Sequence, residues 1–138
     1  MSSIKTVERI IASWKAGDIP AVLECLCEDV VYHYHVGSKP LRGREAVGRF
    51  LERFGADQSE IRWQIMHSAL AGERLFVEGI DDYVAGDGTR IRLPYCGVFE
   101  FEGGKVKGWR DYIDLGLVER ARAGDPNPGW VDEIMQST

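Results

Sequence analysis

Apolar positions recur at helical spacing in the first third of the chain and at alternate positions through most of the rest. Val7, Ile10, Ile11 and Trp14 share one side of a 3.6-residue repeat that stops at Gly17, a common residue just past a helix end. Asp18 is placed to cap a second, short helix with Pro20 in its first turn, followed by Ala21, Val22, Leu23 and Leu26. Residues 29–36 are β-rich and Gly37-Ser38-Lys39-Pro40 reads as a turn. Val47, Phe50, Leu51 and Phe54 then mark a third helix over 44–54, which Gly55 is expected to end. Four alternating segments follow, 61–68, 74–84, 89–101 and 106–115, and read as strands. Gly86-Asp87-Gly88 and Glu102-Gly103-Gly104 are short links of the hairpin kind, which predicts an antiparallel meander. A short helix over 117–122, a Gly/Pro-rich loop at 124–129 and a last turn over 130–135 complete the pattern.

Helices first and a meander afterwards belong to the α+β class. The expected architecture is a cone-shaped, curved antiparallel sheet with the N-terminal helices packed on its concave face, enclosing a pocket. Composition fits one domain over 1–138: the chain is 44 % hydrophobic and 28 % charged, enough for one core and outside the disordered range. The net charge is −5 and the basic residues are scattered, which argues against a nucleic-acid partner, since backbone binding needs a clustered basic surface. No apolar run approaches the ~20 residues that span a bilayer, and the start Met1-Ser2-Ser3-Ile4-Lys5 has no apolar secretory core. The expectation is a cytoplasmic protein with no membrane contact. The three cysteines, Cys25, Cys27 and Cys96, lack CxxC spacing, so buried free thiols are expected rather than disulfides or a thiolate metal site.

Side chains alternate between faces along a strand, and the more apolar face belongs to the core. Over 89–101 that face carries Ile91, Leu93, Tyr95, Gly97, Phe99 and Phe101, while Arg90, Arg92 and Glu100 lie on the other. The same rule groups Asp81 with Leu75, Val77, Gly79 and Tyr83, and Asp111 with Trp109 and Ile113. Two acids from different strands are thereby expected inside, where a carboxylate is costly unless paired, and two close carboxylates tend to share one proton. Such a pair suits acid–base chemistry, one Asp taking a proton from water and the other giving one to a leaving oxygen; the other reading is that one or both acids face solvent or accept bonds from backbone and Tyr groups. Leu93, Tyr95, Tyr83, Ile113, Val118, Phe50 and Phe54, with Trp109, form the expected apolar wall of the pocket. The other reading of these walls is a plain core.

Gly97-Val98-Phe99-Glu100-Phe101, the Gly103-Gly104-Lys105-Val106 turn and Trp109-Arg110-Asp111-Tyr112-Ile113-Asp114 resemble the C-terminal half of limonene-1,2-epoxide hydrolases. That family belongs to the wider group of nuclear-transport-factor-like, ketosteroid-isomerase-like and SnoaL-like proteins. The resemblance implies cofactor-independent, one-step addition of water to a small lipophilic epoxide. Asp111 matches the general base, and Asp81, in Glu78-Gly79-Ile80-Asp81, matches the proton donor. Tyr32 and Tyr34 occupy the stretch where the family places a Tyr and an Asn that hold the attacking water; a one-residue shift of that strand presents His33 and His35 instead. With only His67 elsewhere, the His-x-His spacing is not expected to bind metal. The family has an Arg between its acids where this chain has Gly79, which implies hydrolysis weakened or lost, and a gain from Gly79→Arg if the pocket has room. The alternative is a SnoaL-like cyclase or isomerase, or a domain that binds a small molecule without catalysis. A homodimer is expected through the outer sheet face, where Phe76, Ile80, Cys96 and Val98 are too apolar to leave wholly in water.

Overall fold

The computed structural model describes residues 2–136; the domain expected over 1–138 also takes in Met1, Ser137 and Thr138, which lie outside the described residues. Helix α1 (Ser3–Lys15) starts at Ser2, whose side chain accepts from the Lys5 N–H, and ends before Gly17 at φ +73°. Asp18 accepts from the Ala21 N–H at 3.1 Å and opens α2 (Ile19–Glu24). Strand β1 (Leu26–His33), the short β2 (Leu41–Arg42) and helix α3 (Arg44–Ala56) follow. Gly55 does not end α3; it lies inside the last turn, where its missing side chain lets the Trp14 ring pack against the helix. Strands β3 (Gln64–Ala71), β4 (Arg74–Val84), β5 (Arg90–Glu102) and β6 (Lys105–Tyr112) then form the meander, and α4 (Leu115–Arg122) and α5 (Gly129–Gln136) close the described chain.

The links do what their composition demands. Gly103 and Gly104 sit at φ +59° and +80°, the left-handed pair that a two-residue hairpin matching strand twist requires. Strands β3 to β6 accordingly pair antiparallel in sequence.

The expected cone of antiparallel strands does not form. The sheet is open, six strands in the order β2-β1-β6-β5-β4-β3, and it is mixed because β1 runs parallel to β6, with Tyr32 opposite Trp109. The reason is local: a tight turn imposes antiparallel pairing only on consecutive strands, whereas β1 reaches β6 after α3 and the whole meander. Nothing in the links dictates its direction, and β2 and β3 remain as the two edges of the sheet.

One face of the sheet carries Leu75, Val77, Tyr83, Ile91, Leu93, Tyr95, Phe99 and Phe101, all buried with Val7, Ile10 and Ile11 of α1, Val22 of α2 and Val47 and Leu51 of α3. On the opposite face α5 lays Val131 and Met135 over Ile80, which is 1 % exposed. Part of the face expected to need a second subunit is thus covered from within the chain; Phe76 and Cys96 stay exposed. Cys25 is buried, but Cys27 is only partly so and Cys96 faces outward, which corrects the expectation of buried thiols: Cys96 falls on the outer parity of β5.

Candidate active site

A cavity of about 220 Å³ lies between the inner sheet face and the helices. That is roughly seven water volumes and below the ~300 Å³ where drug-sized pockets begin, so it suits a small ligand. Asp81, Asp111, Tyr32, Tyr34, Tyr83, Tyr95, Trp109, Ile113, Val118 and Phe54 all line it.

Two residues expected in the wall do not reach it. Leu93 is opposite Asp81 in the β4–β5 ladder, but it is 2 % exposed and buried in the core cluster rather than at the cavity surface. Phe50 stands behind the wall, its ring stacked 4.6 Å from that of Tyr34 and edge-on to Tyr32, so it supports the lining instead of forming it. Conversely Trp63, Gln58, Leu51, Leu115 and the α1–α2 residues Ile10, Trp14 and Val22 line the cavity without having been assigned to it. The spacing of Ile10 and Trp14 marks an apolar helix side; which part of that side meets a cavity is decided by packing.

The alternate register of the first strand is resolved by where the strand stops. Tyr32 is 5 % exposed, faces inward and stacks on Trp109 at 4.2 Å. Regular pairing ends at His33, and the Val36 N–H donates to the Asp111 carbonyl at 2.9 Å. Beyond the end of the strand alternation lapses, so both Tyr34 and His35 line the cavity. The His35 Nδ1 lies 2.7 Å from the Val36 carbonyl oxygen.

Asp81 and Asp111 come from β4 and β6, on either side of β5. Asp111 is opposite Gly97 and accepts from the Trp109 indole N–H at 3.3 Å. Each carboxyl keeps accessible surface and lines the cavity, yet both are deep among protein atoms. Burial therefore raises both: Asp81 is pushed up to about 6, helped by the charge of Asp82, and Asp111 stands well above the ordinary range, helped by the charge of Asp81. No lysine or arginine lines the cavity among the described residues. The pair thus holds a proton between two coupled groups near neutral pH. Burial favours that proton on Asp111, whereas the Trp109 N–H favours charge there. Around them, burial also raises Tyr32, Tyr95 and Tyr83, the last to about 12, so the phenols stay protonated and available as donors.

Gly79 is not an open gap. A Cβ there would lie 2.5 Å from the Gln64 carbonyl oxygen and 2.6 Å from the Tyr95 ring. Tyr95, directly opposite Gly79 in the ladder, lays its ring over the glycine, so the room on which a gain from Gly79→Arg depends is absent.

Comparison with known proteins places the fold and the family. The model of the SnoaL-like domain matches residues 7–109. Epoxide hydrolase EphG of Mycobacterium tuberculosis is 30 % identical over 111 residues, covering 79 % of this chain and 71 % of that protein. Among solved structures, an LEH-like epoxide hydrolase of M. tuberculosis superposes with a TM-score of 0.77 at 26 % identity, over 97 % of this chain and 96 % of that one. An NTF2-like protein of Burkholderia pseudomallei gives 0.76 at 25 % identity, over 88 % and 97 %. Family match, relative and fold converge: this chain belongs to the SnoaL-like family, within the superfamily that also holds the NTF2-like and LEH-like proteins.

Proposed function

We propose that this protein hydrates a small lipophilic epoxide in one step, with no covalent enzyme intermediate and no cofactor. The observation that carries the reading is a pair of deep carboxyls with raised pKa values in one small aromatic cavity. The epoxide-hydrolase relative, 30 % identical over 111 residues, supports the reaction class.

Turnover runs through the minor microstate in which the Trp109 N–H holds the charge on Asp111 and the proton sits on Asp81. Asp111 takes a proton from water held by Tyr32 and Tyr34, the water oxygen bonds to an epoxide carbon, and the carbon–oxygen bond opens. Asp81 gives its proton to the epoxide oxygen. The products are a diol, a protonated Asp111 and an ionised Asp81, and one proton returning between the two acids resets the site. Aromatic walls from Trp109, Tyr83 and Phe54 exclude bulk water and favour an apolar substrate.

The test is diol formation from a panel of terpene-sized and smaller epoxides by the purified chain. Turnover that disappears in Asp111→Asn supports the reading; a panel that yields no diol at any pH between 5 and 9 defeats it. The proposed partners are such a small molecule and a second copy of this chain, met through the part of the outer face around Phe76 and Cys96 that α5 leaves open. A monomer mass by light scattering at micromolar concentration would reject the dimer. The proposed location is the cytoplasm; among the described residues no helix is long and apolar enough to cross a membrane.

A further inference from the structure

Among the described residues no lysine or arginine lines the cavity that holds the acid pair, and the place between the acids is not empty. In the β4–β5 ladder the row of Gly79 and Tyr95 lies between the row holding Asp81 and the row holding Gly97, to which Asp111 pairs from the other side. Both glycines make space there. The Tyr95 ring lies over Gly79, and at Gly97 a Cβ would press on the same ring at 3.3 Å and on the Asp111 carboxyl at 3.3 Å. A side chain at Gly79 would collide with the Gln64 carbonyl and the phenol, and one at Gly97 would crowd Val77, the phenol and the acid.

Tyr95 is also held at its far end. Its hydroxyl oxygen accepts from the Trp63 indole N–H, and Trp63 is itself stacked parallel to Trp109, the residue that donates to Asp111. That contact uses a lone pair on the oxygen and leaves the hydroxyl proton uncommitted among the described residues, in a side chain that lines the cavity. An N–H donating to a phenol oxygen also polarises the O–H and makes it a stronger donor.

We propose that Tyr95 is a further catalytic group, whose hydroxyl, set by Trp63 and by the bed of Gly79 and Gly97, donates a hydrogen bond to the epoxide oxygen as the carbon–oxygen bond opens. This rests on the hydration reading and extends it. Asp81 supplies the proton that the oxygen keeps; Tyr95 keeps its own and stabilises the charge that develops before that transfer is complete. A neutral donor does this without adding a charge, so the two acids continue to share a proton in a way that an arginine between them would suppress.

Tyr95→Phe keeps the ring over Gly79 and removes only the hydroxyl. The expected result is a roughly tenfold to hundredfold fall in kcat with KM changed less than about threefold, as for loss of one donor to a developing oxyanion. Trp63→Phe, which leaves Tyr95 its hydroxyl but not its fixed orientation, is expected to lower kcat by a smaller factor. A second readout does not need turnover: equilibrium binding of a cyclic ketone and of the cycloalkane of matching shape. Wild type is expected to prefer the ketone about tenfold, and Tyr95→Phe to lose that preference while binding the hydrocarbon unchanged. If wild type forms no diol but shows this preference and its loss, hydration fails while Tyr95 stands as a donor to a ligand oxygen. If Tyr95→Phe, folded by its thermal transition, keeps both kcat and the ketone preference, Tyr95 is only wall and the proposal is overturned.

Discussion

Asp81 and Asp82 are neighbours on one strand and lie in opposite worlds. Asp82 points to the outer face, is 4 % exposed, and is met by Arg90 at 2.8 Å and Arg92 at 3.5 Å, both from the adjacent strand. Asp81 points to the inner face, where no lysine or arginine lines the cavity among the described residues, and its carboxyl is pushed up to about 6. Both acids are covered by protein; only one is compensated. A buried carboxylate with cations around it contributes to holding the sheet, whereas one left facing a cavity is costly to the fold and useful to chemistry.

The largest effect is expected at the other uncompensated acid. Asp111→Asn removes the proposed base and little volume, and should lower kcat on the order of a thousandfold while thermal unfolding moves by only a few degrees. Full turnover in that variant would remove Asp111 from the mechanism.

Stability should distinguish the neighbours by sign. The unfolded Asp81 carboxyl releases its proton near the ordinary 3.8, the folded one near 6, so between those values the folded state holds more protons and rising pH destabilises it. Asp81→Asn removes that penalty. It should stabilise the protein by about 2 to 3 kcal/mol above pH 6, and the gain should fade as the pH is lowered towards 4, while epoxide turnover is lost. Urea titrations at pH 4 and pH 8 measure this directly; an equal effect at both would show that Asp81 is not held in its protonated form by the fold.

Gly79→Ala should destabilise by roughly 1 to 3 kcal/mol, because its methyl group would press on the Gln64 carbonyl at 2.5 Å and on Tyr95 at 2.6 Å. Turnover should fall with it, since the ring that moves stands between the acids. An unchanged transition temperature with improved turnover would restore the view that an arginine is simply missing there.

Asp82→Asn is the mild counterpart. Its arginine partners are more than a third exposed, so water screens what they lose, and the cost should be about 1 kcal/mol with kcat within a factor of about three. A large loss of activity would mean that the two faces of β4 are coupled.

Much of this was legible from alternation. The span of β4 matches its sequence pattern at both ends, because Arg74 and Val84 bound an unbroken alternating run. The inward parity of Asp81, Asp111 and Tyr95 follows from the same period of two. The pattern lapsed where regular pairing lapses: after His33 the chain bends, and Tyr34 and His35 reach the same cavity. It also misjudged Phe50 and Leu93, because parity says which side of an element is apolar but not which apolar residue faces empty space.

Local spacing, turn chemistry and a contiguous motif were enough to read the α+β class, the meander and its hairpins, the inward parity of the two acids and the family. That β1 runs parallel to β6, that the sheet stays open and that α5 covers Ile80 emerged only from the packed fold. It alone placed Tyr95 over Gly79. These are contacts between segments far apart in the chain, set by which surfaces fit together once the elements exist, and no local period encodes them.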